Sequence, residues 1–353
     1  MTPMARTFLA GALLALVTTP ILAQRGQGPG GDGPGNGKRP SRECIREIIQ
    51  VCGTDRNLVR ACLAEQAQAL SKKCQKQVRE RMGVTKADRF EPRPFVPAIR
   101  PTRSVLFGSH QRQRVDIYEP KDAVEPLPLV LFVHGGGWRT GDAKNVQGKP
   151  AFYKAKDYYF ASTGYRLLPD HPVEEQAKDV GAAVQALVGQ AEFIGFDPER
   201  VVIMGHSSGA HLAALVASDP QYAGEAFGAI KGAVLLDSAG YDIPQHMEDA
   251  NFAAKRVYEE AFGFDVERQK ALSPITHVGG PDAPNWLALY VAERAEAQKQ
   301  AEALVAGLTA QGSSAKAVAI ENTDHSRMNR EIGTEAGKAQ TDAIDAFLAE
   351  VFG

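Results

Sequence analysis

The chain has 353 residues, 44% hydrophobic and 23% charged, which is the balance of an ordinary folded protein with room for two domains. Lys+Arg 40 against Asp+Glu 42 leave a net charge of −2, so no basic face for nucleic acid is expected. The same figures exclude a wholly disordered chain and a multi-span membrane protein.

Residues 1–23 read as an export signal. Arg6 supplies positive charge, Phe8 to Val17 is apolar, Thr18-Thr19-Pro20 breaks the run, and Ala23 leaves a small residue before Gln24. The run is too short for a spanning helix, which needs about 20 apolar residues. A secreted or periplasmic location follows, with no stable membrane insertion after cleavage. Residues 24–40 are rich in Gly and Pro and read as a flexible linker, because they bury too little apolar surface to offset their ordering entropy.

Residues 41–83 carry Cys44, Cys52, Cys62 and Cys74. An oxidising compartment favours disulfides for such a set. Zinc is disfavoured: the spacings of 7, 9 and 11 intervening residues lack a close Cys pair, and no His lies nearby. Ile45, Ile48, Ile49 and Cys52 form a helical stripe that predicts a helix over 42–52, and Val59, Cys62, Leu63 and Leu70 form a second. Four cysteines allow three pairings. Nesting Cys44–Cys74 around Cys52–Cys62 suits a helix hairpin. Cys62 and Cys74 do not share a face of one continuous helix, so this pairing needs a break, with Ser71 capping a third short helix. The pattern C-x₇-C…C-L…L-S-x-x-C resembles the small Cys-rich repeat of Golgi-type glycoproteins. Residues 84–101, with Pro92, Pro94, Pro97 and Pro101, read as a stiff connector.

From 102 to 353 strands and helices alternate, which predicts an α/β domain with a mostly parallel sheet. The strand readings are 104–109, 113–119, 127–133, 160–167, 200–205, 232–237, 286–291 and 315–321. The helix readings are 173–194, 208–218, 295–311 and 334–351. Residues 244–285 have no place in the alternation and read as a partly helical excursion over one end of the sheet.

Gly205-His206-Ser207-Ser208-Gly209 is G-x-S-x-G between an apolar strand and a helix-like run. That is the context of a nucleophile elbow, with Ser207 on a sharp strand-to-helix turn. His134-Gly135-Gly136-Gly137-Trp138 follows the central strand directly. The N–H groups of Gly136 and Gly137, with that of Ser208, are candidates to surround a tetrahedral oxyanion. The loop carries neither of the common phosphate-cradling glycine patterns.

Together, in this order and spacing, the two motifs resemble the hormone-sensitive-lipase-like esterases of the α/β-hydrolase superfamily. Gly164-Tyr165-Arg166-Leu167 and Gly195-Phe196-Asp197-Pro198-Glu199-Arg200 also look like segments of that family. The resemblance covers about residues 100–350. It implies an α/β-hydrolase fold, preceded here by the small disulfide-stapled helical module, and a serine carboxylic-ester hydrolase working through a Ser–His–acid triad and an acyl-enzyme. The substrate would be a small-molecule ester, short-chain or aryl, with no cofactor and no metal.

His325, after the last strand, fits the place of the base. His206 and His211 flank the elbow and cannot turn back onto Ser207, His134 begins the glycine loop, and His277 lies in the excursion. The acid normally follows the strand read as 286–291, where many relatives show a His-Gly-x-x-Asp loop. This chain has Tyr290-Val291-Ala292-Glu293-Arg294-Ala295-Glu296 instead. Glu296 is the preferred candidate. Asp237, at the end of the preceding strand, and Glu293 are the alternatives. Trp138, Tyr165, Tyr241 and Tyr290 are candidates for an apolar acyl or aryl pocket and equally for core. Two rival functions share these residues: a serine amide hydrolase or peptidase, and a non-catalytic binding protein on the same fold. No partner of the Cys-rich module follows from its sequence.

Overall fold

The computed structural model describes residues 41–52, 70–81, 99–121 and 125–353. The leader, the Gly-rich linker, most of the connector, Cys62 and the side chain of Cys52 lie outside the described residues. The chain divides into two compact units, Met1–Pro94 and Phe95–Gly353.

In the first unit, helix Arg42–Cys52 and helix Lys72–Arg81 are joined by the disulfide Cys44–Cys74. Ser71 Oγ accepts from the N–H of Cys74 at 3.3 Å, the N-cap bond that starts the second helix. Cys44, Leu70, Cys74 and Val78 form a small core with Ile48 packed on it. So few apolar groups hold little on their own. Closing a separation of 30 residues removes roughly 3–4 kcal/mol of unfolded-chain entropy in the loop-closure treatment.

The second unit is built on one eight-stranded sheet. Its strands are β1 Arg103–Leu106, β2 Arg114–Tyr118, β3 Leu127–Val133, β4 Tyr159–Thr163, β5 Phe196–His206, β6 Ile230–Leu236, β7 Asn285–Val291 and β8 Ser314–Ile320, in the order β1-β2-β4-β3-β5-β6-β7-β8. β2 runs antiparallel to β1 and β4, and every pairing from β4 to β8 is parallel. This is the α/β-hydrolase arrangement. Helices cover both faces, so β3, in the middle of the sheet, is apolar at every position. On β3, Leu129, Leu131 and Val133 face one core, shared with helices Val173–Val188, Ser208–Ser218 and Ala295–Ala310. Val130 and Phe132 face the other, shared with helices Lys149–Lys154, His325–Arg330 and Lys338–Phe352.

The segment 244–285 forms helices Ile243–Asp249, Phe252–Phe262 and Val266–Ala271 outside the alternation. The helix read over 173–194 is two helices, because Gly189 ends the first and Ala191–Ile194 is a separate short turn. β4 stops at Thr163 because the chain then turns to seat Tyr165 under His134, with ring centroids 4.3 Å apart and the Tyr165 hydroxyl donating to the His134 carbonyl at 2.7 Å. Among the described residues no helix is long and apolar enough to cross a membrane.

Candidate active site

Ser207 stands between the end of β5 and the first residue of helix Ser208–Ser218. Its backbone lies at φ 55°, ψ −123°, a conformation that L residues with a side chain seldom adopt. The turn closes because two neighbours lack a Cβ. One on Gly205 would lie 2.1 Å from the Gly209 carbonyl oxygen, and one on Gly209 would lie 2.2 Å from that of Val133. Gly205→Ala is therefore expected to destabilise the protein by about 1–3 kcal/mol or more through backbone overpacking. Thermal melting measures this directly.

The glycine loop lies against the elbow: a Cβ on Gly135 would be 3.1 Å from Ser207 Cβ and 2.7 Å from the His206 carbonyl oxygen. Gly136 and Gly137 both have positive φ, 142° and 59°. Their N–H groups meet no protein acceptor among the described residues. The N–H of Ser208, first in its helix, belongs to the set that a helix leaves unpaired at its N-terminus, where the dipole favours negative charge. Three N–H groups with no protein acceptor among the described residues thus belong to the elbow and to the loop that lies against it.

Trp138 anchors the loop. It is buried, and its Nε1–H donates to His211 Nδ1 at 3.2 Å, while His211 Nε2–H donates to the Leu272 carbonyl at 2.8 Å. Burial pushes His211 down to about 4, which keeps it neutral and able to accept. Trp138 also packs edge-on against Tyr258 and Phe262 of helix Phe252–Phe262, and Arg139 pairs with Glu260 of the same helix. The excursion is therefore bound directly to the glycine loop.

His325 opens helix His325–Arg330, capped by Asp324, whose Oδ1 accepts from the N–H groups of Ser326 and Arg327. His325 Nδ1 meets Asp237 Oδ2 at 2.6 Å. Asp237 follows Leu236 at the end of β6, at φ 50°, and is fully buried. Its Oδ1 accepts from the N–H of Val291 at 3.0 Å, and its Oδ2 also accepts from Arg294 Nη1. Arg294 Nη1 stands 2.8 Å from His325 Nδ1.

The preferred acid from the sequence, Glu296, is not on the imidazole. Its carboxylate is exposed and pairs with Arg294 at 3.3 Å. Glu293 is exposed as well. The physical reason is positional: the loop after β7 places a cation, Arg294, where an acid was expected, and the carboxylate comes from β6 next door. Among the other histidines, His134 is buried, with Nδ1 on the Gly135 carbonyl at 3.0 Å, and His277 Nε2 meets the Ala271 carbonyl at 2.9 Å. Trp138, Tyr165, Tyr241 and Tyr290 are all buried and belong to the core. An apolar residue that the sequence reading did not single out, the half-exposed Val257, comes within 3.6 Å of where a Gly137 Cβ would stand.

Burial works to raise the pKa of Asp237, but the His325 hydrogen bond, the charge of Arg294 and the Val291 N–H outweigh it and bring it down to about 2. The folded value lies below the unfolded value of about 3.9, so the stabilisation is complete above that pH and is lost as pH falls through about 2. It amounts to roughly 2–3 kcal/mol. Asp237→Asn is thus expected to flatten the stability profile between pH 4 and pH 2, measured as denaturant midpoints across that range.

The comparisons agree with this architecture. A model of the BD-FAE family matches residues 115–308, more than half of the chain. A probable isoprenylcysteine alpha-carbonyl methylesterase of Arabidopsis thaliana is 33% identical over 120 residues, covering 34% of this chain and 25% of that protein. Arylacetamide deacetylase of Oryctolagus cuniculus is 32% identical over 181 residues, covering 46% of this chain and 45% of that protein. The chain thus spans between a quarter and a half of these curated relatives. Among solved structures, esterase 2 of Thermogutta terrifontis phosphonylated by sarin superposes with a TM-score of 0.62 at 19% identity, covering 72% of this chain and 97% of that one, a likeness of fold. The chain is an α/β-hydrolase-fold member of the carboxylesterase/lipase superfamily with a small disulfide-linked N-terminal module, and it belongs to the BD-FAE family.

Proposed function

We propose that the protein is a serine carboxylic-ester hydrolase of the hormone-sensitive-lipase-like kind, acting on small or aryl esters. The observation that carries this reading is the buried Asp237 carboxylate on His325 Nδ1 at 2.6 Å, beside an elbow that holds Ser207 in a strained turn. Ser207 Oγ attacks the ester carbonyl and His325 takes its proton. The N–H groups of Gly136, Gly137 and Ser208 hold the oxyanion. His325 then protonates the departing alcohol and activates the water that releases the acid. Asp237 holds the imidazole in the tautomer with Nδ1–H, leaving Nε2 as the base.

Val257 over Gly137 supplies an apolar wall for a small acyl or aryl group. The names of the relatives, a methylesterase and an arylacetamide deacetylase, support the same chemistry. The second name also favours aryl amides as a second substrate class. The test is a panel of p-nitrophenyl esters of increasing chain length, aryl cinnamates and aryl acetamides, with fluorophosphonate labelling mapped by peptide mass spectrometry. Label on a residue other than Ser207, or no hydrolysis of any ester, ends this reading.

The leader-like residues 1–23 support a secreted or periplasmic enzyme, and the cysteine pattern supports a repeat of the Golgi-glycoprotein type at 41–83. Since residues 95–353 contain no cysteine, reductant is expected to unfold the module and leave ester turnover within about twofold, a disulfide worth a few kcal/mol acting only on its own unit. Limited proteolysis and an esterase assay on the same sample report the two effects separately.

A further inference from the structure

Two buried side chains grip the short helix His325–Arg330 from beneath. The helix has six residues, too few to hold itself in water. Its last carbonyls, that of Asn329 among them, have no intrahelical donor. His206, the residue before the nucleophile, brings Nε2 to 2.7 Å from the His325 carbonyl oxygen. A carbonyl only accepts, so Nε2 carries the proton. Lys149 brings Nζ to 2.9 Å from the Asn329 carbonyl oxygen, one helical turn further along.

Neither group takes part in the mechanism above, and neither is placed cheaply. Lys149 is 0% exposed and has no carboxylate partner among the described residues. Its other polar contact is Gln147 Oε1 at 3.2 Å, and it lies 4.6 Å from the centre of the Phe132 ring. Burial alone pulls its pKa down to about 7. An isolated ammonium in a core costs stability unless it is hydrogen-bonded. His206 packs its ring 4.6 Å from that of His325. Burial first, then repulsion from His325, hold it down to about 3, so it stays neutral beside a second imidazole.

We infer that His206 and Lys149 are positioning residues, a two-point clamp that fixes the helix bearing His325 relative to Ser207. The inference rests on the reading of His325 as the base. His206 is covalently next to Ser207, so its bond to the His325 carbonyl ties base and nucleophile together through one peptide unit. Lys149 stops the far end of the helix from swinging about that point. A displacement of about 1 Å between reacting groups costs on the order of 10²-fold in rate.

The experiment compares His206→Leu, His206→Gln and Lys149→Met in the full chain. It uses p-nitrophenyl acetate kinetics and hydrogen exchange of peptides spanning residues 322–332. Leucine fills the space without a donor, and glutamine restores an N–H. The expected result for His206→Leu is a kcat lower by about 10- to 100-fold with KM within about twofold. His206→Gln recovers most of the loss. Exchange in 322–332 accelerates in His206→Leu and in Lys149→Met while β3 and β5 stay protected. A His206→Leu variant with unchanged kcat overturns the clamp. So does a glutamine variant no better than leucine, or exchange that rises throughout the domain and not in 322–332. If the unmodified chain hydrolyses no ester, the esterase reading fails, and the exchange arm alone then decides the clamp.

Discussion

Ser207→Ala is expected to lower kcat for ester hydrolysis by roughly 10⁵–10⁶ while leaving the melting temperature within a few degrees. The size of the effect comes from cooperation. Without a nucleophile, His325 and Asp237 have nothing to activate, and what remains is the polarising power of three N–H groups acting on a bound ester, about 10³–10⁴ over water. The fold is spared because alanine removes one oxygen and keeps the Cβ that the turn already accommodates at φ 55°. Steady-state kinetics at high enzyme concentration, with the fluorophosphonate-blocked protein as baseline, resolve the residue. Turnover above a thousandth of the unmodified rate would remove Ser207 from the reaction.

Asp237→Asn is expected to cost about 10⁴ in kcat, whereas Glu296→Gln and Glu293→Gln stay within about threefold. Asparagine keeps the shape of the side chain. Its NH₂ turned toward Nδ1 would favour the imidazole tautomer with the proton on Nε2, which is the wrong atom for a base. It also leaves Arg294 facing a neutral amide in a partly buried place. Glu296 offers only an exposed pairing with Arg294, an interaction worth about 0–1 kcal/mol. If Glu296→Gln proved the worst of the three, the carboxylate after β7 would be the working acid and the Asp237 contact a bystander.

The parts of this site that depend on local sequence were legible. β3 and helix Ser208–Ser218 have the bounds that periodicity gives them, because a buried parallel strand is apolar throughout and a nucleophile elbow needs small residues at fixed offsets. The pairing of Cys44 with Cys74 was legible for a similar reason: a hairpin brings its ends together. The acid was harder. Two neighbouring strands end at the same edge of the sheet, and which one supplies the carboxylate is a matter of tertiary distance. A signal existed in Val234-Leu235-Leu236-Asp237. Aspartate tolerates the positive φ that a strand-end turn of this kind requires, whereas Glu293 and Glu296 lie beside a strong cation in their own loop. Lys149 gave no sequence signal, since a lysine at the start of a short helix ordinarily reaches solvent.

The relay from Trp138 through His211 to the Leu272 carbonyl makes the helical excursion and the glycine loop one mechanical part. An ester with a bulky acyl chain that pushes helix Phe252–Phe262 outward must drag Trp138 with it, and with Trp138 the glycines to which the proposed mechanism gives the oxyanion. On the proposed ester hydrolysis, size selection is then written into turnover more than into binding. Long-chain substrates would still occupy the site and saturate it, yet react slowly, as competitive ballast for the short ones.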